Sequence, residues 1–390
     1  MELKNLLKNK CEEERGLEKE LARIAGYSNP SGFHHFIYNE KKEMDNIQGI
    51  IDVIQKVSPE YEFDLMSEYI LTLDINKSAA RQGLEYLSVN QLYDTLDKHI
   101  KKMVSAKNSV SKEWGKVYAA QRELDKGNIC IEECIRLLAE IHPKSSEMKV
   151  YSRIIPMYAI LPLKQFGRLK AMSDIVLIDT INNHNYVYHS FKSRYMLLLA
   201  NCFFGNNETE KAQKYARHGI ENSNVKRIIF FSYLTYGSSL MLDDYEKSKS
   251  SFLKGLEVGK GNKIYEQHAI RNLCFLENLW GKENQYLNIE SNEIVDKQEV
   301  VHYLIKKDLI KKGSKQQAKK MLDQLDLVEQ DDNDLGLHYY LKGLLENSRD
   351  YFLESVKYFK LSGDKFSCTL PIIELEKLGV DKQILEVISI

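Results

Sequence analysis

The sequence predicts an all-α protein: an N-terminal helix-turn-helix followed by a tetratricopeptide-like, right-handed helical superhelix. Three observations carry this. Helix breakers are scarce, with six Pro and 20 Gly in 390 residues. Apolar residues recur at three- and four-residue spacing in segment after segment. Small residues return at fixed offsets along the second half of the chain.

Composition sets the frame for these elements. Hydrophobic residues make up 43% of the chain, enough for a sizeable core, and 23 Tyr point to aromatic packing between helices. The net charge of −1 gives no global basic field, so any nucleic-acid contact rests on a local patch. The six cysteines are Cys11, Cys130, Cys134, Cys202, Cys274 and Cys368. Only Cys130 and Cys134 are close in sequence, and their spacing places both on one helix face. No second Cys or His pair follows at zinc-finger spacing, so no metal site is expected. Scattered thiols suit a reducing cytosol. The N-terminus has no apolar signal core and no run approaches ~18 apolar residues, so no membrane span is expected and a cytoplasmic location is.

The first element is a small head, residues 1–58. Leu17, Leu21 and Ile24 give one helix an apolar stripe. Ala22 and Gly26 stand four apart, the small residue admitting a second helix and the glycine permitting the turn. Ser28-Asn29-Pro30 offers a cap and a proline at a first helical position. The next helix carries Phe33, Phe36 and Ile37 inward and leaves Ser31, His34, His35 and Tyr38 outside. Such a helix has the chemistry to enter a major groove. An ordinary three-helix cap on the array reads the same residues equally well. The first sixty residues hold nine Lys/Arg and eleven Asp/Glu, which counts against DNA. Lys98, Lys101, Lys102, Lys107, Lys112, Lys116, Arg122 and Lys126 form a compensating basic stretch, or simply a solvated helix face. Ser58-Pro59-Glu60 marks the end of the head.

The second element is the array, residues 59–370. Ala200 is followed by Ala212, Ala216 and Gly219, and Gly343 by Ser355, Phe359 and Ser362, at the same offsets of 12, 16 and 19. Gly237, Ser248, Phe252 and Gly255 repeat the pattern one residue shorter, and Ala318, Leu322 and Leu325 form a half-unit. Paired helices that touch through small residues, repeated about every 34 residues, build a stack with a concave face suited to an extended peptide or a protein. The third element, residues 371–390, ends in the apolar helix KQILEVISI. A solenoid end without a polar face packs on a second copy, giving a homodimer, or folds back on its neighbour.

One helix of the array poses a specific question. KRIIFFSYLTYGSSLML, residues 226–242, is nearly free of charge but begins with Lys226 and Arg227. Arg227, Phe231, Leu234 and Ser238 share one stripe. A guanidinium on an apolar stripe needs a partner, and a peptide's C-terminal carboxylate fits it bidentately. Asn201, on the preceding helix pair, would align a peptide backbone. A buried Arg paired with an internal acid would look the same.

The strings FSYLTYGSSL, NDLGLHYYLKG, FLKGL and SVKYFKLSGDKF, with LARIAGYSNP and LDINKSAARQGLEY, resemble the arbitrium receptor family (AimR) of Bacillus phages over essentially the whole chain. The resemblance implies a phage-encoded homodimer that binds near-palindromic operator DNA without peptide, activates a neighbouring gene and favours lysis. A signalling hexapeptide in the groove releases it and favours lysogeny. It implies peptide contacts at Asn201, Arg227, Gln298, Glu299, Asn333, Asp364 and Phe366, with Asp364 facing the peptide's arginine. Asn206 and Ser238 stand where some relatives differ, near the peptide's variable end. For the head it implies groove or phosphate contacts at Arg23, Ser28, Asn29, Ser31, His34 and His35. The other classes compete on definite features. A repeat receptor that inhibits a response regulator carries a helical bundle in place of the DNA head. Against an enzyme, no GxGxxG or Walker loop, no HExxH and no nucleophile elbow occurs, so no catalytic residue and no cofactor is expected.

Overall fold

A computed structural model describes residues 2–182, 184–308, 313–325 and 330–389. Ile390, the last residue of the expected C-terminal helix, lies outside them. Among the described residues every regular element is helical. In chain order these are α1 (Glu2–Glu13), α2 (Leu17–Ile24), α3 (Pro30–Tyr38), α4 (Ile47–Val57), α5 (Glu62–Thr72), α6 (Ser78–Val89), α7 (Tyr93–Val104), α8 (Ser109–Asp125), α9 (Ile131–Ile141), α10 (Ser146–Ile160) and α11 (Phe166–Ser173). They continue with α12 (Tyr186–Gly205), α13 (Thr209–Asn222), α14 (Lys226–Leu240), α15 (Tyr245–Gly259), α16 (Lys263–Leu279), α17 (Ile294–Asp308), α18 (Ser314–Asp323), α19 (Asp332–Glu346), α20 (Arg349–Ser362), α21 (Lys365–Lys377) and α22 (Lys382–Ser389).

The chain forms two compact units, Met1–Pro156 with Val176–Lys192, and Met157–Ile175 with Ser193–Ile390. The first unit opens with the head. Asn29 caps α3 by accepting the Ser31 N–H at 2.9 Å, and Pro30 sits in the first turn. Gly26 takes φ +84° in the turn between α2 and α3, a conformation that glycine adopts without penalty. Phe33, Phe36 and Ile37 are buried, as their spacing predicts, and Ser31, His34, His35 and Tyr38 are exposed. The helix α1 packs on α3 and α5, and α4 packs on α2 and α5. Lys4 of α1 is buried and donates to the carbonyls of Asn39, Glu40 and Lys42, just past α3. Further along, α5 packs on α7 and α6 on α8, so each helix meets the next but one. The core here is aromatic: Tyr151 lies 4.8 Å from Tyr118 and 4.6 Å from Phe191 between ring centres.

The second unit follows the same rule. Among the described residues α14 packs on α15 and α16, α17 on α18 and α19, and α19 on α20 and α21. The small residues singled out by spacing are the joints. A Cβ on Gly237 would stand 2.6 Å from the Phe252 ring, and one on Gly343 2.5 Å from Phe352. Ser248 and Ser355 are fully buried and donate their hydroxyls to the Gly237 and Gly336 carbonyls at 2.8 and 2.7 Å. A hydroxyl that bonds a neighbouring backbone lets two helices touch without an orphaned polar group.

The C-terminal helix divides its apolar residues. Leu385 is buried and Ile388 packs on the same core as Leu375 and Val380. Ile384 and Val387 point away, 46% and 69% exposed. Two further expectations change. Cys130 is the exposed residue at the N-cap of α9 while Cys134 is buried inside the helix, so the two are not a pair within one helix. Arg122 is not part of a basic surface. It is buried, bonds Asp97 through Nε at 2.8 Å and lies over the Tyr93 ring. Lys126 pairs with the same Asp97, while Lys98, Lys101, Lys107, Lys112 and Lys116 are exposed.

Candidate functional site

Three of the helices that build the candidate site, α16, α19 and α21, are each started by a side-chain cap. Asn262 accepts the Ile264 and Tyr265 N–H groups before α16, Asp331 those of Asn333 and Asp334 before α19, and Asp364 that of Ser367 before α21. These caps fix where each helix begins and hence which residues face inward.

A cavity of about 260 Å³ opens between these helices. Four residues from the predicted set line it: Ser238 from α14, Glu299 from α17, Asn333 from α19 and Phe366 from α21. Phe366 stacks against Phe204 of α12 with ring centres 4.3 Å apart, closing an apolar wall. Ser367 also lines the cavity and donates its hydroxyl to Asp364 at 2.9 Å, so Asp364 stands one bond behind the rim.

Glu299 is the chemical centre. It is only 4% exposed, and Asn278 donates to its Oε2 at 2.7 Å. A buried carboxylate calls for more donors than one amide. Glu299 also borders a second cavity of about 330 Å³, and Arg271 borders both. Arg271 is held by Asp296 through Nε at 2.9 Å and Nη2 at 3.0 Å, and by Glu293. Burial pushes the Asp296 carboxyl up, but the Arg271 guanidinium and the Ser291 hydroxyl outweigh it and hold it below the usual range. Behind this wall Gln298 is 0% exposed and donates to the Asp334 carbonyl at 3.1 Å, while its Oε1 is buried without a partner. Asn333 likewise keeps a buried, unpartnered Oδ1. The pocket therefore offers one anionic group, one cation held by its own acids, the unpartnered Asn333 oxygen and an aromatic wall, with the unpartnered Gln298 oxygen behind it.

The other predicted residues lie on α12, just past its end, and on α14. Arg227 is half-buried and has no hydrogen bond or ion pair among the described residues. The internal acid that would have explained it away is not among its contacts. Asn201 donates to the Leu197 carbonyl and accepts the Thr235 hydroxyl, tying α12 to α14. Asn206 donates to the Cys202 carbonyl at 3.0 Å. Arg271, Asn272 and Phe275 of α16 were missed. The stripe argument that singled out Arg227 applies equally to Arg271 in EQHAIRNLCF.

In the head Arg23, Ser28, Asn29, Ser31, His34 and His35 are all exposed. Arg23 and Ser28 share a concavity of about 550 Å³ with Lys19 and Tyr27, alongside the start of α3. His34 is tethered, its Nδ1 3.2 Å from Glu18 and its ring against Tyr38. Among the described residues no cluster of three metal-ligating side chains occurs and no helix is long and apolar enough to cross a membrane.

The chain is similar to known proteins over essentially its whole length. Residues 62–377 match the model of the family described as AimR transcriptional regulator-like. The AimR transcriptional regulator of Bacillus phage phi3T is 39% identical over 386 residues, 99% of this chain and all of that one. Its counterpart in Bacillus phage SPbeta is 36% identical over 382 residues, 98% of each chain. The structure of selenomethionyl phAimR superposes with a TM-score of 0.88 at 39% identity over the whole of both chains. A structure of phAimR with a ligand superposes with a TM-score of 0.72 at 38% identity, covering 86% of this chain and 98% of that one.

Proposed function

Because this chain belongs to the AimR transcriptional regulator-like family, a family of regulators and not of enzymes, we propose that it is a peptide-gated, DNA-binding transcription regulator of the phage lysis–lysogeny decision. In this reading the head, residues 1–58, binds operator DNA. The array, residues 59–370, binds a signalling hexapeptide. The segment 371–390 joins two copies through the exposed Ile384 and Val387, so that two heads meet a near-palindromic site. The peptide-free dimer activates a neighbouring gene in the host cytoplasm, and the peptide releases it.

The observation that carries this is the convergence of Ser238, Glu299, Asn333 and Phe366, from four separate helices, on one cavity. Length supports it. Ser238 follows Arg227 by 11 residues, about 16 Å along a helix. An extended hexapeptide spans at most about 20 Å. A peptide held at its C-terminus by Arg227 therefore reaches Ser238 with its other end. Asp364 and Glu299 suit a cationic side chain between the two, and a relative, phAimR, has itself been solved with a ligand.

The test is fluorescence anisotropy on DNA from just downstream of the protein's own gene, at fixed salt, with and without hexapeptides ending in Arg-Gly-Ala. DNA binding that one peptide abolishes is expected. Tight peptide binding with no DNA binding would move the function to inhibition of a protein partner. Asp364→Ala should weaken the peptide by roughly 2–4 kcal/mol and leave DNA binding intact; equal affinity by calorimetry would remove Asp364 from the contact set. A strict monomer in sedimentation at micromolar concentration would remove the dimer.

A further inference from the structure

We infer that Lys4 of α1, a residue with no predicted ligand or DNA contact, is the positioning residue that holds the reading helix α3 in place. This rests on the head being the DNA-binding element.

The geometry is specific. Lys4 is 4% exposed, flanked by the buried Leu3 and Leu7. An ammonium has three N–H donors, and all three here meet main-chain carbonyls: Asn39 at 2.7 Å, Lys42 at 2.6 Å and Glu40 at 3.2 Å. Those carbonyls belong to the turn that leaves α3. Asn39 is its C-cap residue, with its own N–H on the His35 carbonyl at 3.1 Å. The end of a helix collects unsatisfied carbonyls and partial negative charge, and a cation there is favourable. The same ammonium lies 4.7 Å from the centre of the Phe36 ring, the inward anchor of α3.

Lysine is seldom buried unless paired, and here no carboxylate among the described residues bonds it, Glu40 and Glu43 acting only as nearby charges. The residue that would serve packing alone at this place is Leu or Met, which would leave the three carbonyls facing an apolar side chain. The charge therefore does something packing does not. It ties one turn of chain to α1 at three points, immediately after the helix that carries Ser31, His34 and His35. A pivot at that end would swing these outward side chains relative to the rest of the head, and small misplacements disrupt groove contacts.

The experiment uses the full chain with Lys4→Met, and with Lys4→Gln, which keeps two donors. Amide exchange by mass spectrometry over residues 35–44 should accelerate about tenfold or more in Lys4→Met and less in Lys4→Gln, with α14 to α21 unchanged. Affinity for the downstream duplex should fall about tenfold, with the slope against salt retained because no phosphate contact is lost. Hexapeptide affinity should not move. Unchanged exchange over 35–44 would overturn the inference, as would wild-type DNA affinity in Lys4→Met. A salt slope lowered by about one with unchanged exchange would make Lys4 a phosphate contact instead. If the wild-type chain itself binds no DNA, the regulator reading falls, and the exchange data alone decide whether Lys4 fixes α3.

Discussion

The head and the cavity of the second unit present their polar groups in opposite ways. On α2 and α3 the candidate contacts stand in water, and the apolar and cationic anchors lie behind them. Around the cavity the order is reversed: Glu299, Gln298 and the Asn333 oxygen are buried, two of them short of partners. A large, charged, hydrated partner is met by groups that stay hydrated until contact. A small ligand is met by groups already stripped of water, whose unmet hydrogen bonds become selectivity when the right donor arrives.

The comparison breaks most sharply at Glu299. Glu299→Ala should lower hexapeptide affinity by about 3–4 kcal/mol and leave DNA binding intact, as read by calorimetry and anisotropy. An equal loss of DNA binding would mean the two regions are not separable. Acid sharpens the contrast next. Burial holds His99, in the first unit, and His338, in the second, down to about 4, and lowers His302 of the second unit as well. Below their ordinary value the unfolded chain binds these protons and the folded chain does not. Stability is therefore full above about pH 6.5 and falls as pH drops towards 4, by roughly 1.4 kcal/mol per unit for His99 and for His338, with His302 adding in the same direction. Exchange at pH 7 and pH 5 should show the second unit losing more protection, since it holds three of the four histidines that burial lowers among the described residues, His268 among them.

Within the head Gly49 is the weak point. A Cβ there would meet the Ala25 carbonyl at 2.5 Å, where α4 abuts the end of α2. Gly49→Ala should destabilise the head by about 1–3 kcal/mol, seen as lower DNA affinity with unchanged hexapeptide affinity. The smallest effect belongs to the surface. Arg23→Ala should weaken DNA binding evenly across sequences and reduce the salt slope by about one; a change in sequence preference would make Arg23 a base contact.

What the sequence showed follows the same division. The faces of α3 were legible because one short amphipathic helix determines them. The joints of the array were legible because small residues recur at fixed offsets. The cavity was legible only in part, because its wall is assembled from several helices and no local pattern records which of their faces meet. Arg122 was counted as surface because its partner Asp97 sits 25 residues away. Lys4 gave no sign at all: a lysine two residues into a first helix reads as solvated until the turn after α3 is placed on it.

The joints of the second unit have a consequence for divergence. Gly237, Gly343, Ser248 and Ser355 set how closely the two helices of a pair approach, the glycines against phenylalanine rings and the serines against main-chain carbonyls. Ser238, Asn272 and Asn333 face the cavity and stand outside those joints, the Ser238 hydroxyl bonding Asn272 of α16 at 3.4 Å. Stack and lining are thus encoded largely by different positions, with Phe359 serving both. A lineage can exchange lining residues one at a time and acquire a new signal while the register of its helices stays unchanged.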